Sequence, residues 1–301
     1  MSIPIKQLHP HFVAEISGLD LRQPLHPDQA MELDRALDRF GVLVFHGQDI
    51  TDEQQLTFTR NLGAIELAIG GNVTKPEERR LSVQIGDVSN LDQHGKVMAK
   101  DDRRRMFNLG NRLWHSDSSY RSTPAKCSLL SCRSKPVTGG NTEFAFMPAA
   151  YDALDAETKE EIEDLVSEHS LIYSRGQLGF GQFTPEELKT FAPVRQALVR
   201  ANVFTGRKSV YLSAHIGTIV GWHMPEARDF IRELTEHATK PEFVHAHEWA
   251  VGDLVIWDNR QCLHRVRPFK DTDEPRDMRR TTVAGIGPTT ALAAEAARAP
   301  H

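Results

Sequence analysis

Apolar residues recur at helical spacing near the N-terminus of this chain. Ala30, Leu33, Leu37 and Phe40 share one face of a segment that follows Pro27, which predicts a helix over 28–40 ended by Gly41. The unbroken apolar run Val42-Leu43-Val44-Phe45 then reads as a buried strand. Thr51, with Gln54 three residues later, fits a capping box that opens a second helix toward Leu62. From Trp114 onward the texture becomes β-rich, with strand-like runs at 127–132, 142–146, 209–213 and 253–257. Turn signals separate them, notably Pro136-Val137-Thr138-Gly139-Gly140 and Val251-Gly252-Asp253. Two helices interrupt the series. Asp155 caps a segment carrying Ile162, Leu165 and Val166 on one face, and Pro225 starts another through Phe230, Ile231 and Leu234. Strands without regular βαβ alternation imply a mostly β fold, a double-stranded β-helix (jelly roll) core decorated by α-helices, in one domain spanning 1–301.

Between the two halves lies a polar stretch, about 70–111, holding Lys75-Pro76-Glu77-Glu78-Arg79-Arg80 and Lys100-Asp101-Asp102-Arg103-Arg104-Arg105. These charge runs read as solvated loop surface. A long polar segment immediately before Trp114 is also where a lid over a site would sit. The Ala-rich tail, about 291–301, reads as a frayed helix or a disordered end.

Composition narrows the classes. With 40% hydrophobic and 26% charged residues over 301 positions, the chain is an ordinary globular protein with a sizeable core. A net charge of −5 argues against a nucleic-acid or polybasic membrane partner. No apolar run approaches the ~20 residues of a membrane span. Met1-Ser2-Ile3-Pro4-Ile5-Lys6 lacks the apolar core of a signal peptide. The three cysteines, Cys127, Cys132 and Cys262, suit buried, reduced thiols, so a cytoplasmic protein is expected.

Chemistry concentrates at Trp114-His115-Ser116-Asp117 and at Trp257-Asp258-Asn259-Arg260-Gln261-Cys262-Leu263-His264. A strand through His115-x-Asp117 puts both side chains on one face. His264, just past the 254–257 strand, adds a second imidazole. Two histidines and a carboxylate are the facial triad of non-haem Fe(II) oxygenases, which leaves open positions on the metal. Zinc accepts the same ligands, so ligand type does not fix the metal, although the His-Glu-x-x-His of zinc hydrolases is absent. The arginine cluster Arg276, Arg279 and Arg280 suggests that an anion, a carboxylate above all, binds beside the metal.

These motifs resemble the taurine dioxygenase-like family of Fe(II)/2-oxoglutarate-dependent dioxygenases. The branch they look most similar to cleaves dichlorophenoxyacetate and related aryloxyalkanoate herbicides. The resemblance rests on Leu113-Trp114-His115-Ser116-Asp117-Ser118-Ser119-Tyr120, Gly139-Gly140-Asn141-Thr142-Glu143-Phe144, Ala149-Ala150-Tyr151-Asp152-Ala153-Leu154, and Gly252-Asp253-Leu254-Val255-Ile256-Trp257-Asp258-Asn259-Arg260 through His264-Arg265. Ile16-Ser17-Gly18-Leu19-Asp20-Leu21 and 42–48 extend it over nearly the whole chain.

The resemblance implies that His115, Asp117 and His264 hold Fe(II), with 2-oxoglutarate and O2 as cosubstrates. It implies that Thr142 and Arg276 grip the distal carboxylate of 2-oxoglutarate. Arg280 would meet the cosubstrate, the substrate anion, or both, and Arg279 would point elsewhere. Ser213-Ala214-His215 stands where the branch has a substrate-binding histidine. Ser118 and Lys96, the latter in His94-Gly95-Lys96-Val97, are further substrate-binding candidates, and no catalytic residue beyond the metal site is implied. Gly70-Gly71-Asn72, expected near the substrate, departs from the herbicide-cleaving pattern. The implied activity is hydroxylation of a small anionic substrate, with ether cleavage to a phenol and an oxo-acid and release of succinate and CO2. The rivals are a taurine, alkylsulfonate or other small-carboxylate dioxygenase of the family, and a catalytically silent metal-binding jelly roll. A homo-oligomer is also implied.

Overall fold

Two antiparallel sheets face each other at the centre of the computed structural model, which describes residues 3–68 and 76–296. The larger sheet orders its strands Ile5–Gln7, Ala14–Ile16, Val42–Phe45, Leu254–Asp258, Cys127–Ser134, Asp277–Val283, Gly86–Ser89. All its pairings are antiparallel except Ala14–Ile16 beside Val42–Phe45. The smaller sheet sets Thr142–Phe146 between Val244–His247 and Cys262–Val266. A third sheet pairs Val166–His169 with both Ile216–Ile219 and Val194–Ala197.

Both faces of the larger sheet are covered, which is why its central strands are apolar without interruption. Val42, Val44, Val255, Trp257 and Met278 pack toward the smaller sheet, where Phe144 lies 5.6 Å from the Trp257 ring. Their neighbours Leu43, Phe45, Leu254 and Ile256 turn the other way, onto Leu33, Leu37 and Phe40 of the helix Pro27–Phe40 and Phe58 of the helix Asp52–Arg60. This is the jelly-roll core with a helical layer that the sequence pattern implies. Thr51 and Gln54 form the expected capping box.

Gly41 joins the first helix to its strand at φ 68°. A Cβ there would lie 2.8 Å from Phe146 Cε2 and 2.9 Å from Cys262 Sγ. Gly41→Ala therefore combines backbone strain with overpacking. It is expected to lower unfolding free energy by about 1–3 kcal/mol, and an unchanged urea midpoint would contradict this.

Several expectations need correction. His115 and Asp117 do not lie on a strand, because His115 makes only an isolated bridge to His264 and Asp117 opens a turn. His264 lies past the end of Leu254–Asp258, as expected, but on a strand of its own. It sits inside Cys262–Val266, a strand of the opposite sheet. The helix capped by Asp155 ends at Ile162, and Val166 begins a strand rather than continuing the apolar face. The run at 209–213 pairs only through Lys208–Val210. Of the polar stretch, 76–111 is built into the fold: Gly86–Ser89 pairs with Asp277–Val283, and Arg103–Asn108 is helical. Gly70, Gly71 and Asn72 lie outside the described residues, as do 297–301 of the tail, which is helical over Thr289–Ala296. Among the described residues no helix is long and apolar enough to cross a membrane.

Candidate metal centre and its two cavities

His115 and His264 exchange both backbone N–H···O bonds, at 3.0 and 2.9 Å, and this bridge sets their rings 4.2 Å apart between centroids. The chain then turns at Ser118, whose φ of 57° is rare for a side-chain-bearing residue. Asp117, just before that turn, is held from three directions. Its backbone N–H donates to Asn259 Oδ1 at 3.2 Å, Ser128 Oγ donates to Oδ2 at 2.7 Å, and Arg280 Nη1 donates to Oδ1 at 2.5 Å. Asn259 is itself fixed by Trp257 Nε1 at 2.9 Å and donates to Ser128 Oγ at 2.9 Å. The Trp-Asp-Asn-Arg run thus serves two purposes. Asn259 orients the aspartate, while Arg260 binds Asp258 and Asp38 and so fastens the first helix.

The ligand atoms of His115, Asp117 and His264 all lie within 4.8 Å of one another, and all three residues are buried. Each imidazole Nε2 is 3.8 Å from an Asp117 oxygen. His115 Nδ1 donates to the Leu113 carbonyl at 2.8 Å, which leaves its Nε2 lone pair facing the cluster. Burial holds both histidines below their usual pKa, so they are neutral ligands at pH 7. Burial alone would push Asp117 up, but Arg280 first, then the two histidines and Ser128, bring it down to about 2. A charged carboxylate with two neutral imidazoles is a donor set that fits a divalent cation.

Two cavities meet at this cluster, with His115 and Arg280 lining both. The narrower one is walled by Thr142, Arg276, Leu130, Trp257 and His264. Arg276 immediately precedes the strand Asp277–Val283, and its backbone is pinned by Asn90 Oδ1 at 2.8 Å. Strand alternation gives Arg276 and Arg280 one face, with Met278 between them. Arg279 takes the other face and binds Asp52, as expected for a residue outside the site. The Arg276 side chain is 4% exposed; among the described residues it faces no carboxylate, its Nε has no partner, and its one hydrogen bond, to the Val88 carbonyl, is 3.4 Å. Thr142 Oγ1 accepts from Trp249 Nε1 at 3.0 Å.

The larger cavity, about 180 Å³, is mixed in character: Phe107, Phe191, Leu171 and Tyr120 line one part, charged groups such as Arg80, Asp87 and Arg104 line another, and His215 lies beside the cluster. The His215 ring lies 5.9 Å from His115 and edge-on to Tyr120 at 5.0 Å. Leu81 to Val83, Ile85 to Val88 and Leu91 to Gln93 contribute one wall, so much of the polar stretch lies against the cavity. Two expected substrate residues are not brought there. Ser118 lines neither cavity and donates its hydroxyl to Glu66 at 2.5 Å. Lys96 is exposed on a tight turn whose backbone is bonded by Asp92. Sequence reading missed Arg175, buried in the wall of the larger cavity. An isolated arginine in the short segment Leu171–Gly176 carries no spacing signal that would have singled it out.

Fold and site together define a dioxygenase class. The chain belongs to the family described as taurine catabolism dioxygenase TauD, TfdA, which matches residues 4–282. It is 41% identical over 284 residues to the alpha-ketoglutarate-dependent 2,4-dichlorophenoxyacetate dioxygenase of Cupriavidus pinatubonensis, covering 94% of this chain and 98% of that one. It is 35% identical over 254 residues to the (S)-phenoxypropionate/alpha-ketoglutarate-dioxygenase of Delftia acidovorans, covering 81% and 82%. The crystal structure of AAD-2 in complex with Mn(II) and N-oxalylglycine superposes with a TM-score of 0.94 at 60% identity, covering 96% of this chain and 100% of that one.

Proposed function

We propose that the protein is an Fe(II)- and 2-oxoglutarate-dependent dioxygenase of small aryloxyalkanoates. In the balanced reaction the acid, 2-oxoglutarate and O2 give a phenol, an oxo-acid, succinate and CO2. The observation that carries this reading is the pair of cavities meeting at His115 and Arg280. One holds a buried, carboxylate-free arginine beside a threonine hydroxyl, and the other is aromatic in part and large enough for an aryl group. The relatives named above act on a dichlorophenoxyacetate and a phenoxypropionate, and this supports the substrate class.

In this reading His115, Asp117 and His264 hold the metal, and ferrous ion there supplies oxidising power by coupling cosubstrate decarboxylation to oxygen insertion into a C–H bond. Arg276 and the Thr142 hydroxyl bind the distal carboxylate of 2-oxoglutarate. Arg280 fixes the Asp117 carboxylate and borders both ligands. His215, neutral because burial first and then Arg175 hold its pKa down, offers a polar edge to the substrate beside the oxidised carbon. The aromatic part of the cavity, with Phe107, Tyr120 and Phe191, orients the ring, and a misplacement of ~1 Å can cost on the order of 100-fold in rate. Oxidation at the carbon bearing the ether oxygen yields a hemiacetal, which collapses to the phenol. The three buried, unpaired thiols suit the cytoplasm.

The test is oxygen uptake with Fe(II), 2-oxoglutarate and a panel of aryloxyalkanoates, alkylsulfonates and uncharged aryl ethers. Substrate-dependent uptake and succinate with the aryloxyalkanoates is expected. Turnover confined to sulfonates would replace this reading with the taurine-type alternative, and no turnover with any member would refute it.

Trp249 bears on the cosubstrate. By donating to Thr142 Oγ1 it occupies an acceptor position, so the threonine proton is directed toward another acceptor. Trp249→Phe is expected to raise the 2-oxoglutarate KM about 3- to 10-fold, the worth of one hydrogen bond, with kcat little changed. A fall in kcat at unchanged KM would remove Trp249 from this role.

A further inference from the structure

Arg175 is a buried cation with no anionic partner among the described residues. It is 6% exposed, and its Nε has no hydrogen-bond partner. Among the described residues its one hydrogen bond goes to a neutral group, Nη1 donating to Ser174 Oγ at 3.1 Å. The guanidinium lies 4.4 Å from the centre of the Phe107 ring. Gly110 presses against it so closely that a Cβ there would fall 2.3 Å from Arg175 Cζ. The guanidinium is therefore packed against an aromatic ring and against the Gly110 backbone, and a side chain at position 110 would displace it. A planar fork of donors packed in this way is a preorganised receptor for a carboxylate.

The neighbouring arginines of the larger cavity are engaged or wet. Arg80 binds Asp87 and Asp277, Arg104 binds Asp102, and Arg280 binds Asp117. Arg79 also has a buried Nε without a partner among the described residues, but the residue as a whole is only half-buried, so solvent screens its charge. A desolvated charge without a counter-ion costs several kcal/mol, and a site that retains one is built for an anion that arrives later. Burial holds the Arg175 pKa down to about 10, which leaves it charged at neutral pH.

Its position suits the reaction. Ser174 Oγ lies 2.9 Å from His215 Nδ1, so Arg175 is two hydrogen bonds from the histidine that stands beside the metal ligand His115. In an aryloxyalkanoate the oxidised carbon is the one bonded to the carboxylate. Anchoring the carboxylate therefore fixes that carbon within one bond length. We propose that Arg175, rather than Lys96 or Ser118, is a principal receptor for the substrate carboxylate and makes the larger cavity select acids over neutral aryl ethers. This rests on the substrate class proposed above.

The experiment measures equilibrium binding of 2,4-dichlorophenoxyacetate and of its uncharged amide to anaerobic protein loaded with metal and 2-oxoglutarate, for wild type, Arg175→Gln and Arg175→Lys. Wild type is expected to prefer the acid. Arg175→Gln should weaken the acid at least roughly 30-fold, leave the amide and 2-oxoglutarate within about 3-fold, and Arg175→Lys should recover part of the loss. Acid binding within about 3-fold of wild type in a folded Arg175→Gln variant would overturn the assignment. If Arg175→Gln loses its cooperative melting transition, Arg175→Met decides by the same comparison: a full wild-type preference for acid over amide overturns the assignment, and loss of that preference supports it. Wild type that binds metal and 2-oxoglutarate but no aryloxyalkanoate overturns the substrate class itself, and the carboxylate receptor with it.

Discussion

Asp117→Ala is expected to lose stoichiometric metal and all succinate formation. Asp117 is the only charged member of the cluster, and the two imidazoles are kept neutral by burial. Removing it leaves a divalent cation with two neutral donors beside the Arg280 guanidinium, which no longer has its partner at 2.5 Å. Loss of groups that merely orient ligands costs metal affinity about 10–100-fold, so loss of the sole anionic ligand should exceed 100-fold. The same substitution breaks a largely buried pair, with an expected loss of roughly 3 kcal/mol in the metal-free protein. The two effects are separable. Metal content after dialysis, read by mass spectrometry, reports the site, and a urea titration reports the fold. Asp117→Asn keeps the size and an acceptor for Ser128, so it should be folded yet metal-poor. A folded Asp117→Asn protein with a full metal complement would remove Asp117 from the ligand set.

The legible parts of this molecule were those where a local pattern has one structural solution. Val42 to Phe45 is apolar at every position because one face meets Phe146 and its neighbours while the other meets Leu33 and Leu37. Thr51 and Gln54 specify a helix start through two reciprocal hydrogen bonds within four residues. The identities of His115, Asp117 and His264 could be read from residue types and motif. Their convergence could not, because it depends on a single bridge between segments 149 residues apart in sequence and on a turn at Ser118. Strand alternation suggested the right neighbours for the wrong reason. Val166 illustrates another limit: an apolar residue just beyond a helix end fits either a further helical turn or a new strand, and pairing with Val194–Ala197 decides for the strand. Ser118 and Lys96 lie in matching motifs yet face Glu66 and solvent, since motif membership does not set side-chain direction. Arg175 is the converse, a residue whose importance arises only from burial and from the lack of an anionic partner among the described residues.

Arg276→Leu is expected to weaken 2-oxoglutarate at least ~100-fold without lowering the stability of the ligand-free protein. The two signs differ for a physical reason. In the ligand-free protein Arg276 is buried and, among the described residues, carries one long hydrogen bond and faces no carboxylate, so its charge is an uncompensated cost to folding. Burial pushes its pKa down to about 10, and leucine removes that cost while filling much of the same volume. With 2-oxoglutarate bound, the guanidinium has the carboxylate it lacks, and leucine forfeits the pair. Sites that bind charged ligands carry this conflict between stability and function. The measurements are the 2-oxoglutarate Kd by calorimetry under anaerobic conditions and the thermal midpoint with and without cosubstrate. Wild type should gain several degrees from saturating 2-oxoglutarate through mass action, and Arg276→Leu should gain almost nothing. A variant that melts lower than wild type without ligand yet binds 2-oxoglutarate normally would make Arg276 a structural residue. That result would also leave the narrower cavity without a cationic end for the cosubstrate's far carboxylate.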